Sequence, residues 1–153
     1  MIEVEIEAEA WTDALADAEA LVIAAAEAAL KGADAEGGVV VLLADDAAIH
    51  ELNQQFRDKD QPTNVLSFPA AENPEHHLGD VALAFETCLR EAKDQSKPLA
   101  HHLQHLVTHG VLHLLGYDHI TDTEADQMEG LERIVLAGLG VPDPYAAEAG
   151  DHV

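Results

Sequence analysis

The run His109-Gly110-Val111-Leu112-His113-Leu114-Leu115-Gly116-Tyr117-Asp118-His119 constrains this chain more than any other feature. His109 and His113 are four residues apart, so on an α-helix both imidazoles leave the same face and can share one ion. His119 would lie a full turn away if the helix simply continued. Gly116 supplies an exit, because glycine can take a left-handed conformation, end the helix and turn the chain back. The expectation is a three-histidine metal site at a helix C-terminus, with Gly116 at positive φ. Three protein ligands with a position left for water is the layout of a catalytic zinc site. One Zn2+ is expected, and imidazole also suits other divalent transition metals.

The spacing H-x-x-x-H-x-x-G-x-x-H is that of the metzincin metalloproteases, with one departure. Those enzymes carry Glu after the first His as general base, and this chain has Gly110 there. Glycine neither takes nor gives a proton, so the protease reading fails where its chemistry begins. The plain alternative is a coincidence of composition. The chain has ten histidines, and His101, His102 and His105 lie on the same predicted helix. His102, His105, His109 and His113 fall within an arc of roughly 80°. Only the 109/113 pair carries the Gly116-x-x-His119 extension, so the other three are read as non-ligands.

At 153 residues the chain is read as one domain, 1–153, with a substantial core. The single cysteine, Cys88, forms no internal disulfide and fits a reducing compartment. The opening MIEVEIEAEA lacks the basic and apolar regions of a signal peptide, and no apolar run reaches the ~18 residues of a membrane span. A cytoplasmic, soluble protein with no membrane association is expected. The net charge of −23 argues by itself against nucleic acid, whose phosphates reward lysine and arginine. The seven basic residues are not spread evenly, however. Arg57, Lys59, Arg90, Lys93 and Lys97 cluster, leaving Lys31 and Arg133 elsewhere, so one less acidic sector could still admit a polyanion.

Period-two alternation predicts a half-buried strand over 2–7. Thr12 is read as capping a helix that runs to Lys31 with Leu15, Ala18, Val22, Ala25 and Ala29 on its buried face, stopped by Gly32. GVVVLLA at 38–44 reads as a buried strand. Asp45 or Asp46 caps the next helix, which carries Ile49, Leu52 and Phe56. A polar loop covers 57–63. Asn64 to Phe68 and Gly79 to Ala84 are predicted strands, joined by a turn-rich connection. A helix spans about Glu86 to Asp94. Pro98 suits the first turn of another that runs to about Leu115. Thr121-Asp122-Thr123-Glu124 is a possible capping box for a last helix, closed by Gly138 and Gly140 before an irregular tail. The fold class is therefore α+β, one mixed sheet of about four strands packed with about five helices.

Four segments, in this order, carry a family resemblance: NQQFRDKDQPTNVLSFP at 53–69, LGDVALA at 78–84, HGVLHLLGYDH at 109–119 and MEGLERIVLAGLG…PY at 128–145. Together they resemble the YbeY family of bacterial endoribonucleases over about residues 50–145. The resemblance implies an α+β fold around a metal held by His109, His113 and His119. It implies single-strand-specific RNA hydrolysis in 16S rRNA 3′-end maturation and in ribosome quality control. Arg57 matches the arginine on which the family's activity depends. It also allows a small-subunit ribosomal protein and the Era GTPase as partners. Asn64 is one departure, since the family often carries Asp there. The scarcity of basic residues is another.

The chemistry agrees. Zinc acidifies bound water and polarises a phosphoryl oxygen. A guanidinium aimed at the scissile phosphate stabilises the charge that gathers on it, and its fork fits two oxygens. Arg57 is the catalytic candidate, and Arg57 with Lys59 the substrate-binding candidates. Asp118 could accept from a ligand histidine or cap a loop, and Asp80 could cap a strand or face the cleft. Tyr117 is read as packing. Against the nuclease stands a non-catalytic ribosome-assembly factor, whose metal holds the fold and whose acidic surface meets basic proteins. A hydrolase of small phosphoesters or amides is a weaker third.

Overall fold

A computed structural model describes residues 1–57, 63–118 and 120–145, with backbone alone at 56 and 57. Its centre is a sheet of strands β1 (Ile2–Ile6), β2 (Gly38–Ala44), β3 (Val65–Pro69) and β4 (His77–Ala84) in the order β1-β2-β4-β3. β1, β2 and β4 run parallel, and β3 closes one edge antiparallel to β4. The sheet is mixed and the class α+β, as expected.

Six helices are described rather than about five: α1 (Ala10–Ala14), α2 (Ala18–Gly32), α3 (Asp46–Arg57), α4 (Phe85–Asp94), α5 (Leu99–Leu114) and α6 (Asp122–Gly138). The extra one corrects the reading of a single helix from Thr12 to Lys31. Trp11 is fully buried in α1, donates its indole N–H to the Ala44 carbonyl at 2.9 Å and meets the Phe85 ring edge-on at 5.1 Å. That anchor fixes α1 at the end of β2. The chain then turns extended at Leu15 before α2 starts. Thr12 lies inside α1 and its hydroxyl donates to Glu9 rather than capping. The left-handed residue after α2 is Asp34, at φ 53°, not Gly32, which is still helical.

Other boundaries follow their local chemistry. Asp45 is the residue that caps α3, its carboxylate accepting from the Ala48 amide at 2.9 Å. Asp46 instead accepts from the Thr87 amide and hydroxyl, tying α3 to α4. Pro98 sits one residue before the first helical residue of α5. Thr121 and Glu124 form the reciprocal capping box at α6. β4 begins two residues earlier than the Gly79 expected, because His77 already pairs with Gly38.

The alternation of β2 and β4 divides the interior. Val39, Val41, Leu43, Val81 and Leu83 join the apolar faces of α2 and α5 in the main core. Ala82, Ala84 and Leu66 meet Ile49 of α3 on the other face of the sheet. The helix with the histidines therefore lies against the main-core face. No helix among the described residues is long and apolar enough to cross a membrane.

Candidate metal centre

Helix α5 lies close on the sheet because Gly110 has no side chain. A Cβ there would come 2.7 Å from Val81 Cγ1 and 3.3 Å from the Ser67 hydroxyl. Ser67 donates to the Gly110 carbonyl at 3.0 Å. The position that carries the general base in metzincins is thus buried against β3 and β4, with no room for a carboxylate.

α5 ends in a Schellman turn. The Gly116 amide donates to His113 O at 3.0 Å and the Tyr117 amide to Leu112 O at 3.1 Å, with Gly116 at φ 97°. This is the predicted exit from the helix. It brings the Tyr117 carbonyl under His113, whose Nδ1 lies 3.0 Å from it. One turn earlier, His109 Nδ1 lies 3.1 Å from Glu132 Oε1 on α6. A carbonyl and an ionised carboxylate only accept, so both histidines donate from Nδ1. Their Nε2 atoms face each other at 3.0 Å.

Two ring nitrogens that close are held together by a shared proton or a cation. Imidazoles whose Nδ1–H is held by a carboxylate or carbonyl, with Nε2 directed at a common point, are the arrangement of a transition-metal site. The spacing suits two bonds of about 2.0–2.1 Å to one zinc-class ion. His109 and His113 could therefore hold a metal. The described residues contain no group of three metal-binding side chains. His119, the expected third ligand, lies outside the described residues, as does Lys59. Arg57 is the last residue of α3, and its side chain is likewise outside the description.

Glu132 has no exposed surface, and its carboxylate collects three donors. Besides His109 it accepts from the Tyr145 hydroxyl at 3.0 and 2.9 Å and stands 3.4 Å from His105 Nε2. Burial pushes its pKa up, but the hydrogen bonds from His105 and His109 outweigh that and hold it at about 2. Burial and the charge of Glu132 raise the Tyr145 phenol, which stays a neutral donor. Sequence reasoning missed both residues. The signal for Glu132 was a carboxylate on the apolar face of α6, one turn after Met128 and one before Leu136.

The other candidates separate. Tyr117 packs on the main core. Asp80 is mostly exposed and bonds His77 Nε2 at 2.8 Å. Asn64 donates its amide to Glu91 at 3.0 and 3.3 Å, and Glu91 also takes His102 Nε2 at 2.9 Å. An aspartate at 64 would set two carboxylates against each other, so the amide suits this neighbourhood. Cys88 is buried, which raises its thiol pKa, and it has no part in the site.

The comparisons with known proteins agree with this architecture. The family model Endoribonuclease YbeY matches residues 3–140. Endoribonuclease YbeY of Rhodopseudomonas palustris is 53% identical, covering 95% of this chain and 81% of its own length. That of Paramagnetospirillum magneticum is 52% identical over 96% of each chain, and that of Azorhizobium caulinodans 53% identical over 97% and 98%. The solution structure of TM1509 from Thermotoga maritima superposes with a TM-score of 0.61 at 25% identity, covering 99% of this chain and 93% of that one. A family model over most of the chain, with relatives half identical along nearly all of it, shows that this protein belongs to the YbeY family of endoribonucleases.

Proposed function

We propose that this protein is a metal-dependent endoribonuclease that cuts single-stranded RNA. In this reading His109, His113 and His119 hold one zinc-class ion, Arg57 acts on the scissile phosphate, and Arg57 and Lys59 supply RNA contacts. Family membership supports RNA cleavage. The observation that carries the metal is the approach of the two Nε2 atoms to 3.0 Å, each imidazole fixed from behind through Nδ1. A bound ion would supply a Lewis acid for a phosphoryl oxygen and a water acidified to near neutrality. The chain's own part is to hold and aim both imidazoles, through Glu132 and the Tyr117 carbonyl. Arg57 ends α3, and its guanidinium could meet developing phosphate charge in fork geometry. The cellular setting we propose is the cytoplasm, in 16S rRNA 3′-end maturation and ribosome quality control. The partners we propose are a small-subunit ribosomal protein and the Era GTPase.

The test is cleavage of a single-stranded rRNA fragment and of a duplex by purified protein, with metal content measured alongside. Cleavage confined to single strands and abolished by a chelator is expected. Arg57→Ala should keep its metal and fold yet cut roughly 10²-fold or more slowly. Wild-type rates from Arg57→Ala would remove the arginine from the mechanism. The net charge of −23 favours a second reading, a non-catalytic assembly factor for basic partners. That reading becomes the better one if metal-loaded protein cuts no RNA.

A further inference from the structure

We propose that Glu132 is the positioning residue of the histidine pair. It sets the tautomer and direction of His109, and Tyr145 and His105 hold it in place. The proposal rests on the metal reading above. Packing gives no reason for a carboxylate here. Glu132 is fully buried on α6 between Met128 and Leu136, where an apolar side chain of similar size would sit without desolvation. A buried carboxylate persists only where donors surround it. Among the described residues no lysine or arginine is paired with it, and the basic side chains it meets are His105 and His109. Its oxygens are divided between two tasks. Oε1 takes His109 Nδ1. Oε2 faces His105 Nε2. The Tyr145 hydroxyl spans both.

The two histidines thus differ in what holds them. His113 gives its Nδ1 proton to a backbone carbonyl, which no side-chain replacement removes. His109 donates its Nδ1–H to Glu132, a side chain from a different helix, and that bond directs its Nε2. A carboxylate behind an imidazole also raises its basicity toward a metal. Tyr145 is a support one step further out, its ring edge-on to His105 at 5.7 Å and beneath the Arg133 guanidinium at 5.1 Å.

The experiment has two arms. Long-range imidazole nitrogen–proton NMR spectra of metal-free wild type should show His109 as the Nδ1–H tautomer. An Nε2–H tautomer there would overturn the proposal without any variant. Cobalt(II) titration of Glu132→Gln, which keeps the shape and removes the charge, should show affinity reduced about 10- to 100-fold with circular dichroism unchanged. The His109 Nδ1–H form should lose its dominance in the same variant. A folded Glu132→Gln that binds cobalt as wild type does would also overturn it. If that variant does not fold, Tyr145→Phe is the substitute. It leaves the His109–Glu132 contact and removes both hydroxyl bonds, so a smaller loss of cobalt affinity supports the proposal and no loss counts against it. Wild type that shows the Nδ1–H form but takes up no cobalt would uphold the tautomer assignment and overturn the metal reading.

Discussion

In the N-terminal half of α5, His102 and His105 each turn Nε2 toward a carboxylate, Glu91 at 2.9 Å and Glu132 at 3.4 Å. Each keeps a buried Nδ1 with no hydrogen-bond partner among the described residues, and their rings stand 6.3 Å apart. In the C-terminal half, His109 and His113 do the reverse. Their Nδ1 atoms are committed to Glu132 and the Tyr117 carbonyl, their Nε2 atoms face each other, and their rings are 4.5 Å apart. All four lie along one stripe of one helix. What separates them is which nitrogen a neighbouring element engages. Engaging Nε2 from outside makes a histidine a structural hydrogen-bond donor. Engaging Nδ1 leaves Nε2 available to a cation. Glu132 touches both halves and treats them oppositely.

The contrast can be broken most directly by truncating each half in turn. His109→Ala or His113→Ala should reduce cobalt or zinc affinity by more than the roughly 10- to 100-fold that an outer partner costs, read by calorimetric titration. His102→Ala should leave affinity close to wild type. Equal losses from the two halves would erase the distinction.

A smaller effect is expected at the turn that delivers the Tyr117 carbonyl. No atom lies within 4 Å of a Cβ added at Gly116, so Gly116→Ala meets only the backbone cost of φ 97°, about 1 kcal/mol. Urea unfolding should show that loss, together with weaker metal binding. Unchanged stability and affinity would mean that the turn does not set the position of His113.

The smallest effect sharpens the other half. Burial lowers the His102 pKa below its ordinary 6.5, against the opposing hydrogen bond that the ring donates to Glu91. The unfolded chain therefore takes up this proton at higher pH than the folded one. The stability associated with neutral His102 is fully present above about pH 6.5 and falls as pH drops through that value toward the folded pKa. His102→Gln should flatten the wild-type decline between about pH 7 and pH 5 in urea unfolding. Parallel curves would show that His102 does not carry it.

Much of this arrangement was legible in the residues. The strands in β2 and β4, the capping box at Thr121 and the positive φ at Gly116 follow from local patterns that their surroundings do not override. The α1–α2 break was not legible, because it depends on Trp11 reaching the Ala44 carbonyl across 33 positions of sequence. Glu132 and Tyr145 were hidden for a similar reason. A carboxylate on an apolar helix face reads as a local exception until the helix opposite is known to offer two imidazoles.

The sequence by itself determined that His109 and His113 share a helix face, that the helix ends at Gly116 and that the chain carries the motifs of its family. These are properties of short spans, fixed by helical period and by backbone freedom. The tertiary structure decided which nitrogens of α5 point inward and which are held. A tautomer is chosen by an acceptor from elsewhere in the chain, and only packing α6 and the Tyr145 segment against α5 put Glu132 within 3.1 Å of His109.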